Sequence, residues 1–284
     1  MRLVFMGTPE LAVPPLRALH AAGHEIVMVV SQPDRRRGRG SALVPSPVKA
    51  AALDLGLEVT DVVDDVLGLG ADLAVVVAFG QLIKPHVLDV LPMVNLHFSL
   101  LPRWRGAAPV ERAILAGDPV TGVCLMELVE ELDAGRVYAI EEVAINDDLS
   151  LEDLRGKLVD VGTTLLVDTL AQGLGQPIEQ DGEVVYAKKI QPGELQLDLE
   201  RSARELHRVI RLGGAWVELR GKRLRIWQAE VVEDGPRPGH LIDGVVGTSS
   251  GGLRLIEVQS EGKQRMSASA WLNGAQLTPN DRFG

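Results

Sequence analysis

The 284 residues are 46% hydrophobic, which suits a folded chain with room for two domains of ordinary size, and a net charge of -10 argues against a nucleic-acid partner for the chain as a whole. No apolar run approaches the roughly 20 residues that cross a bilayer, and Met1 and Arg2 enter a short apolar stretch without a cleavage site, so we expect a cytoplasmic protein with no membrane partner. Cys124 is the only cysteine, which excludes an internal disulfide and a CxxC metal site.

The first elements of the chain predict an α/β domain. Arg2 to Met6 has the pattern of a strand, and a Gly7-Thr8-Pro9-Glu10 turn leads into a helix that should end near Ala22. His24 to Val30 is a second apolar strand, so the unit predicts a parallel sheet. The turn lacks the GxGxxG pattern of dinucleotide folds, and we expect no NAD site.

A basic segment follows the second strand. Arg35 to Gly40 reads RRRGRG and lies between Pro33-Asp34 and a helix that begins near Val48, after Ser46-Pro47. Arginines separated by glycines cannot pack into a core, so the segment is either an exposed arm that tracks phosphates or a solvated loop. Charge alone leaves both interpretations open.

Further along the chain, Asp72 to Phe79 predicts a fully buried strand. Its end, Phe79-Gly80, should lie at the sheet edge where parallel α/β sheets bind ligands. Short helices are expected at 85–90 and 109–116 and strands at 122–129 and 137–145. A capping-box pattern at Ser150 opens a helix that can reach Leu170.

Three polar residues suggest chemistry at a carbonyl group. If Met93 to Phe98 is extended, Asn95 and His97 share one face. An Asn amide can donate a hydrogen bond to an oxyanion, a His can move a proton near neutral pH, and Asp133 could orient the His if the fold brings it close. The alternative is structural: Asn95 caps a turn, His97 is a half-buried residue with satisfied hydrogen bonds, and Asp133 is a turn residue. Spacing alone leaves both interpretations open and gives more weight to the structural one.

Charge is uneven along the chain. Residues 1–200 hold 16 Lys and Arg against 30 Asp and Glu, whereas residues 201–284 hold 13 against 9. A basic C-terminal region suggests a polyanion-binding face, although a small excess of arginine on a domain is more often a solvated surface. Residues 173–200 carry glycine and proline without a long periodic stretch, and we expect a linker there between domains at 1–172 and 201–284.

The C-terminal region predicts a small β-barrel of the OB type. A helix from Ser202 to Leu212 precedes several short strands with glycine turns, at 215–219, 223–232, 240–246 and 253–258. Arg223 and Arg225 alternate with apolar residues, which predicts one basic, wet face. The histidines have no metal-ligand spacing, and we expect no catalytic metal.

The run NLHFSLLPRWRGAAPVERAILAGD, followed by TGV and LDAG, resembles the signature of the folate-dependent formyltransferases, and the similarity continues in register through the chain. The resemblance implies a Rossmann-like, parallel-sheet formyltransferase domain that binds 10-formyltetrahydrofolate. It implies a catalytic set of Asn95, His97 and Asp133. The folate site would then include Ser99, Leu100, Leu101, Pro102, Phe79 and Gly80. Phe98 stands where the family usually has Gly, and Glu131 and Arg136 flank the LDAG loop where Gly and Asp are usual.

Pro33-Asp34, the basic loop and PSPVK are similar to formyltransferases that act on methionyl-tRNA, in which this loop enters the acceptor arm. The resemblance implies initiator methionyl-tRNA as the partner, and we expect a monomer. Expected tRNA contacts are Arg35, Arg36, Arg37, Arg39, Lys188, Arg204, Arg208, Arg223 and Arg225. Two alternatives remain: a formyltransferase for an amino-sugar nucleotide or another small amine, and a non-catalytic RNA-binding relative.

Overall fold

The computed structural model describes residues 1–36, 43–278 and 281–284. Most of the RRRGRG segment, including Arg37 and Arg39, therefore lies outside the described residues. Contacts divide the chain into a first unit of Met1–Pro109, Val120–Ala144 and Arg155–Ala187 and a second unit of Val110–Pro119, Ile145–Leu154 and Lys188–Gly284. The sequence predicted a linker at 173–200. In the structure, residues 173–187 pack with the first unit and residues 188–200 with the second.

Among the described residues, the first unit is built on a seven-stranded sheet in the order β10-β9-β7-β6-β1-β2-β5. The strands of this unit are β1 Arg2–Gly7, β2 Glu25–Val30, β3 Arg35–Arg36, β4 Leu43–Val44, β5 Val59–Thr60, β6 Leu73–Val77, β7 Met93–His97, β8 Arg103–Gly106, β9 Val120–Glu127, β10 Val137–Ala144 and β11 Val185–Ala187. The pairs among β1, β2, β5, β6 and β7 are parallel, which confirms the predicted parallel sheet. Strands β9 and β10 add to it in antiparallel fashion.

The central strands are buried along their whole length. All five residues of β6 are buried, and Leu3 to Met6 of β1 are 0% exposed. Uninterrupted apolar runs of this kind are typical of parallel strands covered on both faces. The carboxyl ends of these strands consequently meet at one edge of the sheet.

The helices are α1 Val13–Ala21, α2 Pro47–Asp54, α3 Pro85–Leu88, α4 Pro109–Ala116, α5 Leu151–Gln172, α6 Ala203–Arg211 and α7 Ala268–Ala275, with 3-10 turns at Glu10–Ala12, Val63–Val66 and Pro192–Leu195. Ser46 caps α2, its hydroxyl oxygen accepting a hydrogen bond from the Lys49 amide at 3.0 Å. The first helix begins at Val13, later than predicted, because the 3-10 turn occupies the residues after Pro9. None of the described helices has both the length and the apolar character needed to span a membrane.

The second unit contains a sheet in the order β12-β13-β16-β15-β14, with β17 paired to β16. Its strands are β12 Trp216–Leu219, β13 Lys222–Val232, β14 Leu241–Ile242, β15 Val245–Gly247, β16 Gly252–Ser260 and β17 Met266–Ser267. On β13, Leu224 and Ile226 are buried whereas Arg223 and Arg225 are exposed, as their alternation predicts. A C-terminal sheet domain is therefore confirmed.

Two small features differ from the sequence-based expectation. Residues 240–246, expected as one strand, form the hairpin β14–β15, because Asp243 and Gly244 adopt φ angles of 48° and 77° and make a tight turn between the strands. Strand β11, inside the expected linker, pairs in parallel with β8. The pairing of β11 with β8 brings the chain after α5 back to the segment that follows His97.

Candidate active site

Asn95 and His97 lie at the carboxyl end of β7, between β6 and β9 in the sheet. Alternate residues of a strand project to the same face, and both residues are buried, with exposed fractions of 9% and 6%. Within the described residues the side chain of Asn95 has no hydrogen-bond partner. Its amide is therefore available to a ligand.

The imidazole of His97 faces two protein groups. Its Nε2 lies 3.0 Å from the carbonyl oxygen of Trp104, and a carbonyl can only accept, so Nε2 carries a proton. Its Nδ1 lies 3.7 Å from Oδ2 of Asp133. This distance suits an ion pair and exceeds a direct hydrogen bond, which leaves the geometry open to a bridging water.

Asp133 reaches the imidazole from the loop between β9 and β10. Its Oδ2 also accepts a 2.7 Å hydrogen bond from the backbone N–H of Gly106 on β8. The backbone of Asp133 is left-handed, with φ of 49°. Two residues on, a Cβ at Gly135 would collide with the carbonyl oxygen of Glu127, so the turn requires glycine there.

The segment that follows β7 presents the carbonyl that holds the imidazole. Trp104 has a φ of 67°, and Ser99, which is 0% exposed, donates its hydroxyl proton to the carbonyl oxygen of Arg103 at 2.7 Å. The buried hydroxyl therefore closes the turn between β7 and β8 and fixes the direction of the Trp104 carbonyl.

Phe79 and Gly80 lie at the predicted carboxyl edge. The hydroxyl of Thr8 donates to the carbonyl oxygen of Phe79 at 2.8 Å, and the side-chain amide of Gln32 donates to that of Gly80 at 3.0 Å. Phe79 is buried and Gly80 is exposed. The segments that follow β1, β2 and β6 are thus joined at this edge.

Comparison with known proteins gives the family. Residues 1–170 match the formyl transferase family, and residues 189–276 match the C-terminal domain of formyl transferases. The chain belongs to the formyl transferase family. A methionyl-tRNA formyltransferase of Methylococcus capsulatus is 42% identical over 301 residues, covering 98% of both chains, and one of Roseobacter denitrificans is 43% identical over 305 residues, covering 100% of this chain and 99% of the relative.

Solved structures agree on the fold. The N-formyltransferase of Helicobacter canadensis, in complex with folinic acid and dTDP-3-aminofucose, has a TM-score of 0.70 at 15% identity, covering 92% of this chain and 99% of that one. The methionyl-tRNA formyltransferase of Clostridium thermocellum has a TM-score of 0.61 at 11% identity, covering 94% and 99%. Structural similarity is as high for the sugar enzyme as for the tRNA enzyme, so the fold by itself does not distinguish the amine acceptor.

The Ser-Leu-Leu-Pro run of this formyl transferase is largely internal. Leu101 packs with Cys124, Met126 and Val137, Pro102 is buried, and Leu100 is half-buried. Burial raises the pKa of the Cys124 thiol to about 11, so the thiol stays protonated and behaves as a small apolar group. Of the four side chains only that of Leu100 is partly exposed, so it is the side chain of the run that is left for a ligand.

The basic residues expected to contact RNA are mostly at the surface of their own units. Arg35 and Arg36 are exposed on β3, with Arg35 donating to the side-chain oxygen of Gln32 at 2.9 Å. In the second unit Lys188, Arg204 and Arg225 are exposed, and the guanidinium of Arg223 lies 4.3 Å from the centre of the Trp216 ring. Arg208 differs, since it is half-buried and donates to the carbonyl oxygen of Ala116 at 3.4 Å.

Two site residues were missed by sequence reasoning. Arg105 is 8% exposed on β8, and Gln180 precedes β11; their side chains are joined by two hydrogen bonds. In a structure, a buried arginine is unusual and so points to a functional or structural role. In the sequence, Arg105 cannot be told apart from the other arginine of the same turn. In the described part of the chain, no group of three or more His, Cys, Asp or Glu residues could hold a metal ion.

Proposed function

We propose that the protein transfers the formyl group of 10-formyltetrahydrofolate to the α-amino group of initiator methionyl-tRNA. The observation that carries the proposal is the full-length similarity to curated methionyl-tRNA formyltransferases, 42% identity over 98% of both chains. Such coverage includes both the parallel-sheet unit and the C-terminal unit, and so extends over every segment expected to contact either substrate.

The reaction is acyl transfer between two nitrogen atoms. The neutral amine attacks the formyl carbon, a C–N bond forms, and the carbonyl electrons move to oxygen. Collapse of this tetrahedral species breaks the bond to N10 of the folate, while the amine loses a proton and N10 gains one. Catalysis needs donors aimed at the oxyanion and a route for that proton.

Three residues supply these needs in the proposed mechanism. The amide of Asn95, which has no partner among the described residues, donates to the oxyanion. The imidazole of His97, held between the Trp104 carbonyl and Asp133, stabilises the same oxygen. Asp133 orients the imidazole and passes protons by way of a water, because the 3.7 Å between its Oδ2 and Nδ1 exceeds a direct hydrogen bond.

The folate would be held at the carboxyl edge of the sheet. Phe79 and Gly80 lie at that edge, and the Ser99 to Pro102 run begins two residues after His97. An apolar run beside a polar strand end suits a flat heterocycle with hydrogen-bonding edges. Basic side chains would hold tRNA phosphates: Arg35, Arg36, Arg37, Arg39, Lys188, Arg204, Arg208, Arg223 and Arg225.

Three further features belong to this proposal. The second unit would be an OB-type barrel, supported by its six antiparallel strands and the glycine turns between them. The protein would act as a monomer. It would work in the cytoplasm, because charged initiator tRNA is used there by ribosomes.

A direct assay tests the function. Purified protein is incubated with 10-formyltetrahydrofolate and initiator methionyl-tRNA, and formylmethionine is measured after the ester is hydrolysed. Parallel reactions contain a dTDP-amino-sugar or no acceptor, and His97→Ala is the negative control. Formyl transfer to the sugar amine with none to the tRNA would replace the proposal with the small-amine alternative, which the 0.70 TM-score to a sugar enzyme keeps open. Binding of tRNA without turnover would favour the non-catalytic relative.

A further inference from the structure

Gln180 makes four hydrogen bonds that tie two parts of the candidate site together. Its Oε1 accepts from Nε and Nη2 of Arg105, at 3.0 and 2.8 Å. Its Nε2 donates to the carbonyl oxygens of Asp133 and Gly135, at 2.9 and 2.8 Å. A primary amide has two N–H donors and one oxygen with two lone pairs, so this side chain uses its full capacity. If the amide were flipped, its NH₂ group would face the guanidinium of Arg105 and its oxygen would face two carbonyl oxygens. The orientation of the amide is therefore fixed.

The loop that Gln180 holds is one that needs an external support. Asp133 is left-handed at φ 49°, a conformation that is unfavourable for an L-residue. The two amide hydrogen bonds fix the carbonyls on either side of Ala134, and so fix the turn from which the Asp133 side chain projects. That carboxylate then lies 2.7 Å from the Gly106 nitrogen and 3.7 Å from Nδ1 of His97.

Arg105 provides the other half of the connection. Its side chain is 9% exposed and its neighbours on β8 are Trp104, whose carbonyl accepts from His97, and Gly106, whose N–H donates to Asp133. The planar guanidinium presents two parallel donors to one oxygen, a geometry that lysine cannot reproduce. Glu131 contacts the same guanidinium from the surface, with its Oε1 at 3.4 Å from Nη1 of Arg105.

We infer that Gln180, through its hydrogen bonds to Arg105 and to the 133–135 loop, is a positioning residue that sets the distance between Asp133 and His97. The inference rests on the proposed function for its kinetic consequence. It gives residues 173–187 a role in the site, although no residue of this segment need touch a substrate.

The first experiment compares Gln180→Met with Gln176→Met. Methionine keeps the length of the side chain and removes all four hydrogen bonds, while Gln176 is exposed and its side chain has no hydrogen bond in the described part of the chain. We expect Gln180→Met to lower kcat by roughly ten- to a hundredfold, because displacement of a catalytic group by about 1 Å has effects of this size. The KM values for both substrates should change less than about twofold, since this role removes no substrate contact. Unchanged kcat, with Gln176→Met equally unchanged, would overturn the inference.

A double-mutant cycle with Asp133→Asn separates positioning from general damage to the fold. If Gln180 acts through Asp133, adding Gln180→Met to Asp133→Asn should lower the residual kcat by less than about twofold, because the group it positions is already impaired. Additive effects of the two substitutions would show that Gln180 acts by another route, and would refute the inference.

A third measurement does not depend on formyl transfer. The Gly106 amide proton is bonded to Asp133, so Gln180→Met should accelerate its hydrogen exchange at least about tenfold, while amides of β6 keep their protection. Unchanged exchange at Gly106 would overturn the connection even if the enzyme is active. If the wild-type protein transfers no formyl group, the proposed function fails, and the exchange experiment still decides whether the connection exists.

Discussion

Substitution of Asn95 or His97 should slow formyl transfer without weakening the binding of tRNA. Neither is expected to contact tRNA phosphate, and each would contribute most when charge develops on the formyl oxygen. We expect Asn95→Ala to lower kcat by about 10²- to 10³-fold, the usual cost of one oxyanion donor. His97→Ala should lower it at least as much. The affinity for methionyl-tRNA, measured by filter binding, should stay within about twofold.

A matched control exists on the same unit. His86 is an exposed imidazole whose Nε2 lies 3.1 Å from Oδ1 of Asp64, so His86→Ala also removes a histidine that faces a carboxylate. It should leave kcat unchanged. Normal turnover in Asn95→Ala or His97→Ala would show that these buried polar groups serve the fold alone, which is the structural interpretation that the spacing left open.

At the scale of single residues, the sequence predicts only those positions of the site that follow from the local periodicity of a strand. Alternation along β7 placed Asn95 and His97 on one face without further information. The approach of Asp133 depends on the antiparallel course of β9 and β10, and the four hydrogen bonds of Gln180 on segments distant in the chain. Neither is encoded in a short pattern, so the residue types made Asp133 a candidate, and only the resemblance to a family implied that it joins Asn95 and His97.

The N-terminus of α6 offers a prediction about pH. The Glu205 carboxylate accepts hydrogen bonds from the Ser202 hydroxyl at 2.7 Å and the Ser202 amide at 3.1 Å, and it pairs with Arg201 at 2.9 Å. The hydrogen bond from the Ser202 hydroxyl, followed by that from Arg201, lowers the pKa of Glu205 to about 2. A lowered folded-state pKa means that the ionised carboxylate stabilises the fold above its ordinary pKa of 4.5, and that this contribution disappears as pH falls through about 2.

Glu205→Gln should therefore lower the melting temperature at pH 7, and the difference from wild type should shrink below pH 4.5 and vanish near pH 2. Thermal unfolding followed by circular dichroism across this range measures it. Glu230→Gln on β13 is the control, because its exposed side chain has no hydrogen bond or ion pair within the described residues. A destabilisation by Glu205→Gln that does not change with pH would contradict the role of the ionised carboxylate.

The elements that the sequence missed are short and depend on distant partners. Strands β8 and β11 have four and three residues, too few to display an alternation, and each exists because the other pairs with it. The Asp243-Gly244 pair is a hairpin signal in the sequence, but the apolar residues on both sides of it favour one continuous strand. Long apolar strands such as β6 were predicted well, since burial on both faces leaves a continuous run.

At the scale of the whole molecule, acceptor choice must come from features outside the shared sheet. The chain resembles a sugar enzyme in fold at a TM-score of 0.70 and curated tRNA enzymes in sequence at 42% identity. A parallel sheet with a polar strand end can activate a formyl group for many amines. A polyanionic acceptor additionally requires fixed positive charge, which this chain carries in the 35–40 segment and, in excess, in residues 201–284.

Replacing Arg35, Arg36, Arg37 and Arg39 together by Gln should weaken tRNA binding and flatten its dependence on salt. Each phosphate contact contributes about 0.7 to 0.9 to the slope of log K against log salt, so loss of several contacts is measurable by titration at 50 to 200 mM salt. The single variants Arg36→Gln and Arg17→Gln form a matched pair, because both remove one exposed charge from the first unit, and Arg17 lies 3.7 Å from Asp54 on a helix not expected to meet RNA. Arg36→Gln should reduce the slope while Arg17→Gln leaves it unchanged. Equal slopes for the fourfold variant and the wild type would show that the arginine segment touches no phosphate.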